Sequence, residues 1–250
     1  MKKLLLILLC LPLIGLGQGN TVKIGSQIWT NQNLDVDRFR NGDIIPKAES
    51  KEEWLRASYK EDPIWCYYKF DDNYSHLGKL YNYYCISDER EIAPKGFKVP
   101  DFRDFYELIT YLNPLITIEN LDKGFASVAG SLMSNDTIFW NNRCNNISSG
   151  LDIIGSGGYE PSIVTDEYSD WREIKSVSYL WLHTDFLNDL ILLKNTMTIE
   201  RWEDNMRYIK ENRHQNEAWG VKFKKSTIGC DLNLEPERKE SGYSIRLIKE

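Results

Sequence analysis

The sequence predicts a single α+β domain, and three observations predict it. Short segments with the alternation of β-strands lie near both ends of the chain, at 21–30 and 242–248. One amphipathic segment at about 101–112 has the spacing of an α-helix. The 250 residues contain no internal repeat, low-complexity segment or Pro/Gly/Ser linker, so we expect one sizeable core, or at most two small ones.

The first 17 residues have the pattern of a cleavable signal peptide. Lys2 and Lys3 precede an apolar run at 4–14, and small residues follow at Gly15 and Gly17, which predicts cleavage before Gln18. The run is shorter than the roughly 20 residues that span a bilayer, and no later stretch comes closer, so no transmembrane span is expected. We therefore expect residues 1–17 to be removed and residues 18–250 to be secreted or held in the periplasm or at the cell surface.

Strands are predicted first at 21–30, where Gly25-Ser26 indicates a turn or bulge, and last at 242–248. Two aromatic segments, 65–70 and 80–85, suit strands or an extended, heavily packed stretch, and a polar loop separates them. That loop contains alternating oxygen-bearing residues, but His76 stands where a calcium loop has glycine. A solvated loop is the preferred interpretation.

The clearest predicted helix begins after Asp101, a good N-cap residue, with Asp104 adding negative charge to its first turn. Its apolar residues recur at helical spacing until Asn113-Pro114 ends it: Phe102, Phe105, Leu108, Ile109 and Leu112. A weaker pattern covers 125–133. A third helix is predicted at 198–213, either packed on the domain through the stripe of Ile199, Trp202, Met206 and Ile209 or binding a partner through it.

Composition narrows the partners of the exported chain. Without residues 1–17 it has 29 lysine and arginine residues against 37 aspartate and glutamate residues. A net negative charge argues against nucleic acid, because binding to phosphates requires a basic face. The 8 tryptophans and 14 tyrosines favour recognition only mildly, since such side chains serve equally in cores and on binding surfaces.

No catalytic or metal-binding pattern is recognised, so no cofactor or metal is expected. Four cysteines remain in the exported chain, which permits three disulfide connectivities, but none has CxxC spacing: Cys66, Cys85, Cys144 and Cys230. Structural bridges or buried thiols therefore outweigh a catalytic cysteine, because none of the three histidines stands in a recognisable relation to a nucleophile.

The motifs resemble those of the Fibrobacter succinogenes major paralogous domain family, a widespread domain of secreted bacterial proteins. The matching stretches in the first half are 22–29, 33–34, 40–46, 65–68, 78–84 and 93–100. Looser matches follow at 149–151, 157–159, 179–181, 218–219 and 242–246. The segment near 187–215 has no counterpart in the family pattern, which indicates an inserted helical segment.

The resemblance implies a C-type-lectin-like fold, shared with the formylglycine-generating enzyme. Such a fold would have paired terminal strands, the helix at about 101–112, and a long irregular second half that forms the ligand face. The function implied is a secreted, non-catalytic binding domain that recognises a glycan or a surface protein. Two alternatives remain open, an extracellular enzyme of unknown reaction and a structural component of the cell surface.

The resemblance also implies candidate residues. Five aromatic residues of the second half are expected to contribute to the ligand surface, although Trp181 and Trp219 suit the core better: Tyr159, Trp171, Tyr179, Trp181 and Trp219. Family members carry the cysteine of Trp-Cys-Tyr-Tyr and a second near the end, where this chain has Leu247. The departure implies that the partner has moved, which predicts Cys66–Cys85 and, by exclusion, Cys144–Cys230. The second pair rests on parity alone, and both of its cysteines could instead be free thiols.

Overall fold

The computed structural model describes residues 20–117, 121–141, 147–162, 170–185, 189, 207, 213–225 and 229–250. The α-helices among them are α1 (Lys51–Tyr59), α2 (Tyr84–Ser87), α3 (Phe102–Leu112) and α4 (Leu121–Leu132). The strands are β1 (Thr21–Ile24), β2 (Gln27–Thr30), β3 (Trp65–Cys66), β4 (Leu80–Tyr81), β5 (Phe97–Lys98), β6 (Gly158–Tyr159), β7 (Trp171–Arg172), β8 (Val177–Trp181), β9 (Glu217–Lys225), β10 (Cys230–Arg238) and β11 (Ile248–Lys249). This mixture confirms the α+β class.

One sheet joins the two ends of the chain, in the order β1-β2-β11-β5. β1 and β2 form a hairpin whose turn contains Gly25 at a positive φ of 61°, a conformation that glycine adopts without strain. Ile248 of β11 pairs with Trp29 on one side and Lys98 on the other. The predicted pairing of the terminal strands is confirmed, with Gly25 in the turn of a hairpin and a closing strand limited to two residues.

A second sheet, in the order β10-β9-β8, occupies the half of the chain that was expected to be irregular, and this corrects the prediction. β9 and β10 are nine residues each and form a long antiparallel hairpin. Val221 and Phe223 are buried, whereas Lys222 and Lys224 point outward. That period-two pattern is typical of a half-buried strand.

Helix α3 begins and ends where the sequence predicted. Asp101 Oδ1 accepts the backbone N–H of Asp104 at 2.9 Å, and Asp104 Oδ2 accepts that of Asp101 at 3.0 Å. The pair forms a capping box with aspartate in the place usually held by glutamate or glutamine. The weaker pattern at 125–133 corresponds to α4, which packs against β10.

Helix α1 was missed by the sequence analysis. Ser50 caps it by accepting the N–H of Glu53 at 3.3 Å, and the Glu53 carboxylate accepts the N–H of Glu49 at 2.8 Å. Ser-x-x-Glu is a recognised helix start. Only Trp54 and Ser58 are buried on this helix, so its apolar stripe is too narrow to be conspicuous in the sequence.

Cys66 and Cys85 are both buried free thiols, so the predicted Cys66–Cys85 disulfide is wrong. On β3, successive side chains point to opposite faces, and Cys66 packs with Trp54 and Tyr159. Cys85 packs in another cluster, with Trp65, and its thiol donates to the Ile64 carbonyl at 3.4 Å. The segments are adjacent, as expected, but the two sulfurs belong to different clusters.

Labelling can check the state of these two thiols. Burial raises the pKa of both, so neither should react with a maleimide in the native protein at neutral pH. After denaturation without reductant, both thiols should react, and mass spectrometry should find the peptides that contain Cys66 and Cys85 alkylated. Recovery of a Cys66–Cys85 cross-linked peptide would contradict the structure.

Several predictions lie outside the described residues. These are the signal peptide at 1–17, nearly all of the helix at 198–213, most of the inserted segment near 187–215, and Cys144. The Cys144–Cys230 pair therefore stays a prediction. In the described part of the chain, no helix combines the length and the apolar character needed to cross a bilayer.

Candidate functional site

The five aromatic residues predicted to bind ligand do not form one exposed surface. Tyr159, Tyr179 and Trp181 are at most 1% exposed, whereas Trp171 and Trp219 remain partly exposed. The three buried residues build the core. Tyr179, for example, stacks on Tyr243 at 4.3 Å between ring centroids. The expected exposure of Tyr159 and Tyr179 is corrected, whereas Trp181 lies in the core, the position that suited it better. A ligand surface has to be sought elsewhere.

A polar cavity of about 600 Å³ lies where five separated segments of the chain meet. It is lined by amides, hydroxyls, carboxylates and a few apolar groups: Asn31, Gln32, Asn33, Asp35, Ser75, His76, Leu77, Gly78, Ser134, Asp136, Phe139, Asp152, Ile154 and Arg246. Its volume falls within the range of small-molecule sites. Ten of the fourteen residues are polar, which favours a ligand rich in hydrogen-bonding groups.

The wall near Gly78 depends on the absence of a side chain. Gly78 has a φ of 80°, and a Cβ placed there would lie 2.8 Å from the Cβ of Asn33. This close approach allows the Asn33 amide to donate to the Leu77 carbonyl at 2.9 Å and to the Ser244 hydroxyl at 3.2 Å. Asn33 therefore holds the loop at 75–78 against the segment that follows β2, and the cavity opens between them.

Arg246 joins three segments beneath the cavity and is 1% exposed. Its guanidinium donates to Asn33 Oδ1 at 2.8 Å and to the carbonyls of Thr30, Leu151 and Asp152 at 3.2, 2.9 and 3.0 Å. Burial lowers the pKa of Arg246 to about 9, so the side chain stays charged at neutral pH. Because these acceptors saturate most of its N–H groups, we assign Arg246 a positioning role.

Several polar side chains in the cavity have no partner in the part of the chain that the structure describes, and they are available to a ligand. Gln32 and Ser75 are exposed, and neither side chain forms a hydrogen bond with a described residue. The Oδ1 atom of Asn31 is buried and has no hydrogen-bond partner among the described residues. A buried acceptor without a partner costs about 1–3 kcal/mol, so a ligand hydroxyl that reached this amide would recover that energy.

The charges around the cavity discriminate between ligands. Three aspartates line it, and one of them, Asp35, is held at the edge by Lys79, whose ammonium lies 2.6 Å from Asp35 Oδ1. Asp136 and Asp152 contribute further negative charge, while the cation of Arg246 is buried behind them. An anionic ligand would be repelled at this surface, whereas a neutral polyhydroxy ligand would find acceptors for its hydroxyl groups.

Sequence reasoning missed this cavity. The run Asn31-Gln32-Asn33 and the arginine of Gly-Tyr-Ser-Ile-Arg were visible in the sequence. Nothing in it placed Asn33 within hydrogen-bond distance of Arg246, more than two hundred positions away. Across the described residues, no group of three His, Cys, Asp or Glu side chains is arranged to hold a metal ion.

A second constellation of titratable groups lies around the buried Tyr243. Its hydroxyl is 2.9 Å from Glu237 Oε2 and 3.2 Å from Glu160 Oε1. A phenol has one proton to donate, so one of the two carboxyls must carry a proton if both contacts are hydrogen bonds. Burial raises the pKa of Glu237 to about 7. Burial also opposes ionisation of Glu160, but the Arg172 guanidinium and the hydroxyls of Tyr179 and Tyr243 together outweigh it and lower the pKa of that carboxyl.

This arrangement predicts a pH-dependent stability. Glu237 has a folded pKa of about 7 against 4.5 for the free side chain, so its stabilisation is complete below pH 4.5 and is lost as pH rises through 7. Glu237→Gln should therefore be more stable than the wild type at pH 8 by about 1–2 kcal/mol, a value reduced for the partial exposure of the carboxyl. Urea unfolding at pH 5 and pH 8 checks this.

The neighbouring Glu235 provides the matched control, since it lies on the same strand and is exposed. Glu235→Gln should leave the difference in unfolding free energy between pH 5 and pH 8 almost unchanged. Equal pH dependence in Glu237→Gln and the wild type would show that Glu237 is ionised throughout this range.

Comparison with known proteins gives one match. A family model described as Fibrobacter succinogenes major domain matches residues 22–249, nearly the whole chain. No curated protein and no solved structure matches.

Proposed function

This chain belongs to the Fibrobacter succinogenes major domain family, and from that premise we propose that it is an exported, non-catalytic domain that binds a neutral glycan. The cavity between Asn31 and Asp152 is the proposed binding site. The observation that carries the proposal is the cavity itself, with a volume of about 600 Å³ and walls dominated by amide, hydroxyl and carboxylate groups. Sugars present many hydroxyls that act as both donor and acceptor, which is the complement of such walls.

Export is part of the proposal. Its support is the N-terminal pattern of two lysines, an apolar run and small residues before Gln18. The two free thiols are compatible with an oxidising compartment because both are fully buried, and burial raises their pKa and suppresses the reactive thiolate. An exported binding domain would meet polysaccharides of the cell surface or of the surroundings.

We also propose the C-type-lectin-like arrangement within the α+β class. Three features support it. The terminal strands share one sheet, α3 follows the Val99-Pro100 motif after its N-cap Asp101, and the segment before β11 is buried throughout 241–247. In such an arrangement the cavity would lie beside the joined terminal strands. The ligand face expected from the sequence, by contrast, was built on the aromatic residues of the second half.

A glycan array tests the proposed function. The array should include neutral oligomers of glucose, mannose, galactose and xylose together with acidic polymers such as polygalacturonate. We expect the mature protein, residues 18–250, to bind at least one neutral series and none of the acidic polymers, because carboxylates line the cavity. Binding to acidic polymers alone would contradict the proposed neutral ligand. Binding to no glycan would contradict the proposal as a whole and favour a surface protein as the partner.

Point variants locate the binding. The side chains of Gln32 and Ser75 are exposed and bond to no described residue, so the double variant Gln32→Ala/Ser75→Ala should preserve stability. Two lost hydrogen bonds to the ligand should weaken binding about tenfold in calorimetric titration. Asn233→Ala, an exposed amide on β10 that does not line the cavity, is the control and should bind as the wild type does. Equal affinity for all three proteins would place the ligand elsewhere.

A further inference from the structure

We infer that the ligand is an oligosaccharide that extends out of the cavity over the aromatic rings of Tyr74 and Trp171. This inference rests on the proposed function and adds a second contact region, which we name the aromatic track. The track consists of His76, Tyr74 and Trp171 at the surface, with Tyr68 buried beneath them. It gives the site a preference for chain length in addition to the cavity's preference for neutral hydroxylated ligands.

The track begins in the cavity wall. His76 lines the cavity, and its ring lies 6.5 Å from that of Tyr74, with an angle of 28° between the planes. Both residues belong to the 3-10 segment Asp72–Leu77, so the loop that walls the cavity also carries the first two rings of the track. The Nδ1 atom of His76 lies 3.1 Å from the Asn73 carbonyl, which fixes the ring orientation. A ligand leaving the cavity past His76 therefore meets Tyr74 next.

Tyr68 links Tyr74 to Trp171. Its ring is 5.1 Å from Tyr74 and 5.1 Å from Trp171, and both contacts are edge-to-face. Because Tyr68 is 5% exposed, it acts as a rigid support and does not contact the ligand. Tyr74 and Trp171 therefore stand on one shared buried support, which suits them to contact sugars of a single chain.

Trp171 is partly exposed and packs on buried aromatic rings. Tyr159 lies 4.3 Å from it between centroids, at 30° between planes, and Phe70 meets it edge-on at 5.1 Å. Trp171 was expected from the sequence to contact ligand, and its exposed part stands on preorganised support. Flat aromatic faces pack against the C–H faces of sugars while the hydroxyls stay hydrated.

The geometry points to a glycan and not to a protein loop as the occupant. The cavity is polar and the track is aromatic, an alternation that suits a chain of units with hydroxyl edges and C–H faces. The carboxylates of the cavity disfavour acidic sugars, and the rings of the track contribute no negative charge. The occupant is therefore a neutral oligosaccharide with one unit in the cavity and the following units on the track.

Chain-length dependence tests the inference. The probe is whichever of the neutral glucose, mannose, galactose or xylose series gives the strongest array signal, as separate fragments of one to six units. In the wild type, affinity should rise with each unit that reaches the track. Trp171→Ala and Tyr74→Ala should each weaken binding of the longest fragment about five- to tenfold and leave binding of the single sugar unchanged. Tyr59→Ala, which removes a 92% exposed ring on α1, should have neither effect.

The outcomes separate the two proposals. If affinity does not rise beyond the single sugar, the track is refuted and the cavity stands. If the track variants lose affinity for the single sugar and the longest fragment equally, they act through the fold, and the track is again refuted. Tyr74 is the cleaner site for this comparison, because it lies on a surface turn and is only half-buried. If no neutral fragment binds to the wild type, the proposed function itself has failed, and the track with it.

Discussion

Replacing Arg246 with methionine is expected to lower the free energy of unfolding by about 3–5 kcal/mol, because it leaves three backbone carbonyls and one amide oxygen without their donor. These acceptors come from the end of β2, from Asn33 and from the segment at 151–152. Methionine fills much of the volume but donates no hydrogen bond. The loss should therefore arise from unpaired polar groups and less from a cavity in the core.

Urea unfolding followed by tryptophan fluorescence measures this effect. Arg238→Met is the matched control, since Arg238 is exposed to solvent, and its unfolding free energy should stay within about 1 kcal/mol of the wild type. Arg246→Lys should recover only part of the stability, because an ammonium cannot reproduce the directions of a planar guanidinium. A change below 1 kcal/mol in Arg246→Met would show that the Arg246 junction contributes little to the fold.

Replacing Trp54 with alanine is the second change with a large expected effect, about 3–5 kcal/mol. Trp54 is fully buried, and its indole N–H donates to the Glu240 carbonyl at 2.8 Å. Its ring meets Tyr159 edge-on at 5.3 Å and covers Gly242, where an added Cβ would lie 3.0 Å from the indole. The tryptophan thus joins α1 to the C-terminal segment, and alanine would leave an empty space and an unpaired carbonyl.

Thermal unfolding of Trp54→Ala and Tyr59→Ala compares two aromatic residues on the same helix. Tyr59 is 92% exposed, so its removal should change the unfolding free energy by no more than about 0.5 kcal/mol. Similar melting temperatures for the two variants would contradict the role assigned to Trp54.

The elements predicted correctly are those whose signals are local. Helix α3 carries its cap, its apolar stripe and its terminating Asn-Pro within fourteen residues, so no distant contact is needed to recognise it. Helix α1 has an equally clear cap at Ser50 and Glu53, but only one large side chain of the helix, Trp54, is buried. Its stability comes from what Trp54 contacts, and those contacts come from residues far along the chain.

The candidate site could not be predicted because its residues come from segments that are far apart in the sequence and meet only in the folded chain. Asn33 and Arg246 are held together by the pairing of β2 with β11 and by the hydrogen bonds of the guanidinium. The aromatic residues of the second half could not be assigned to a ligand surface from the sequence, for a related reason. An aromatic ring suits a core and a binding surface equally, and only burial separates Trp181 from Trp171.

The cysteines show the same limit of sequence reasoning. Adjacent segments placed Cys66 and Cys85 near each other, as expected, but the pleat of β3 turns Cys66 to the opposite face from Trp65, which shares a cluster with Cys85. An even number of cysteines permits disulfides, but the direction of each side chain decides which cysteines can pair.

The position of a bound glycan tests the central claim most directly. Crystals of residues 18–250 grown with the tightest-binding neutral oligosaccharide should show one sugar in the cavity, within hydrogen-bond distance of Gln32 and Ser75 and close to the Asn31 amide. The following units should lie over Tyr74 and Trp171. A glycan bound against Trp219 or any other surface, with the cavity holding only solvent, would contradict the account.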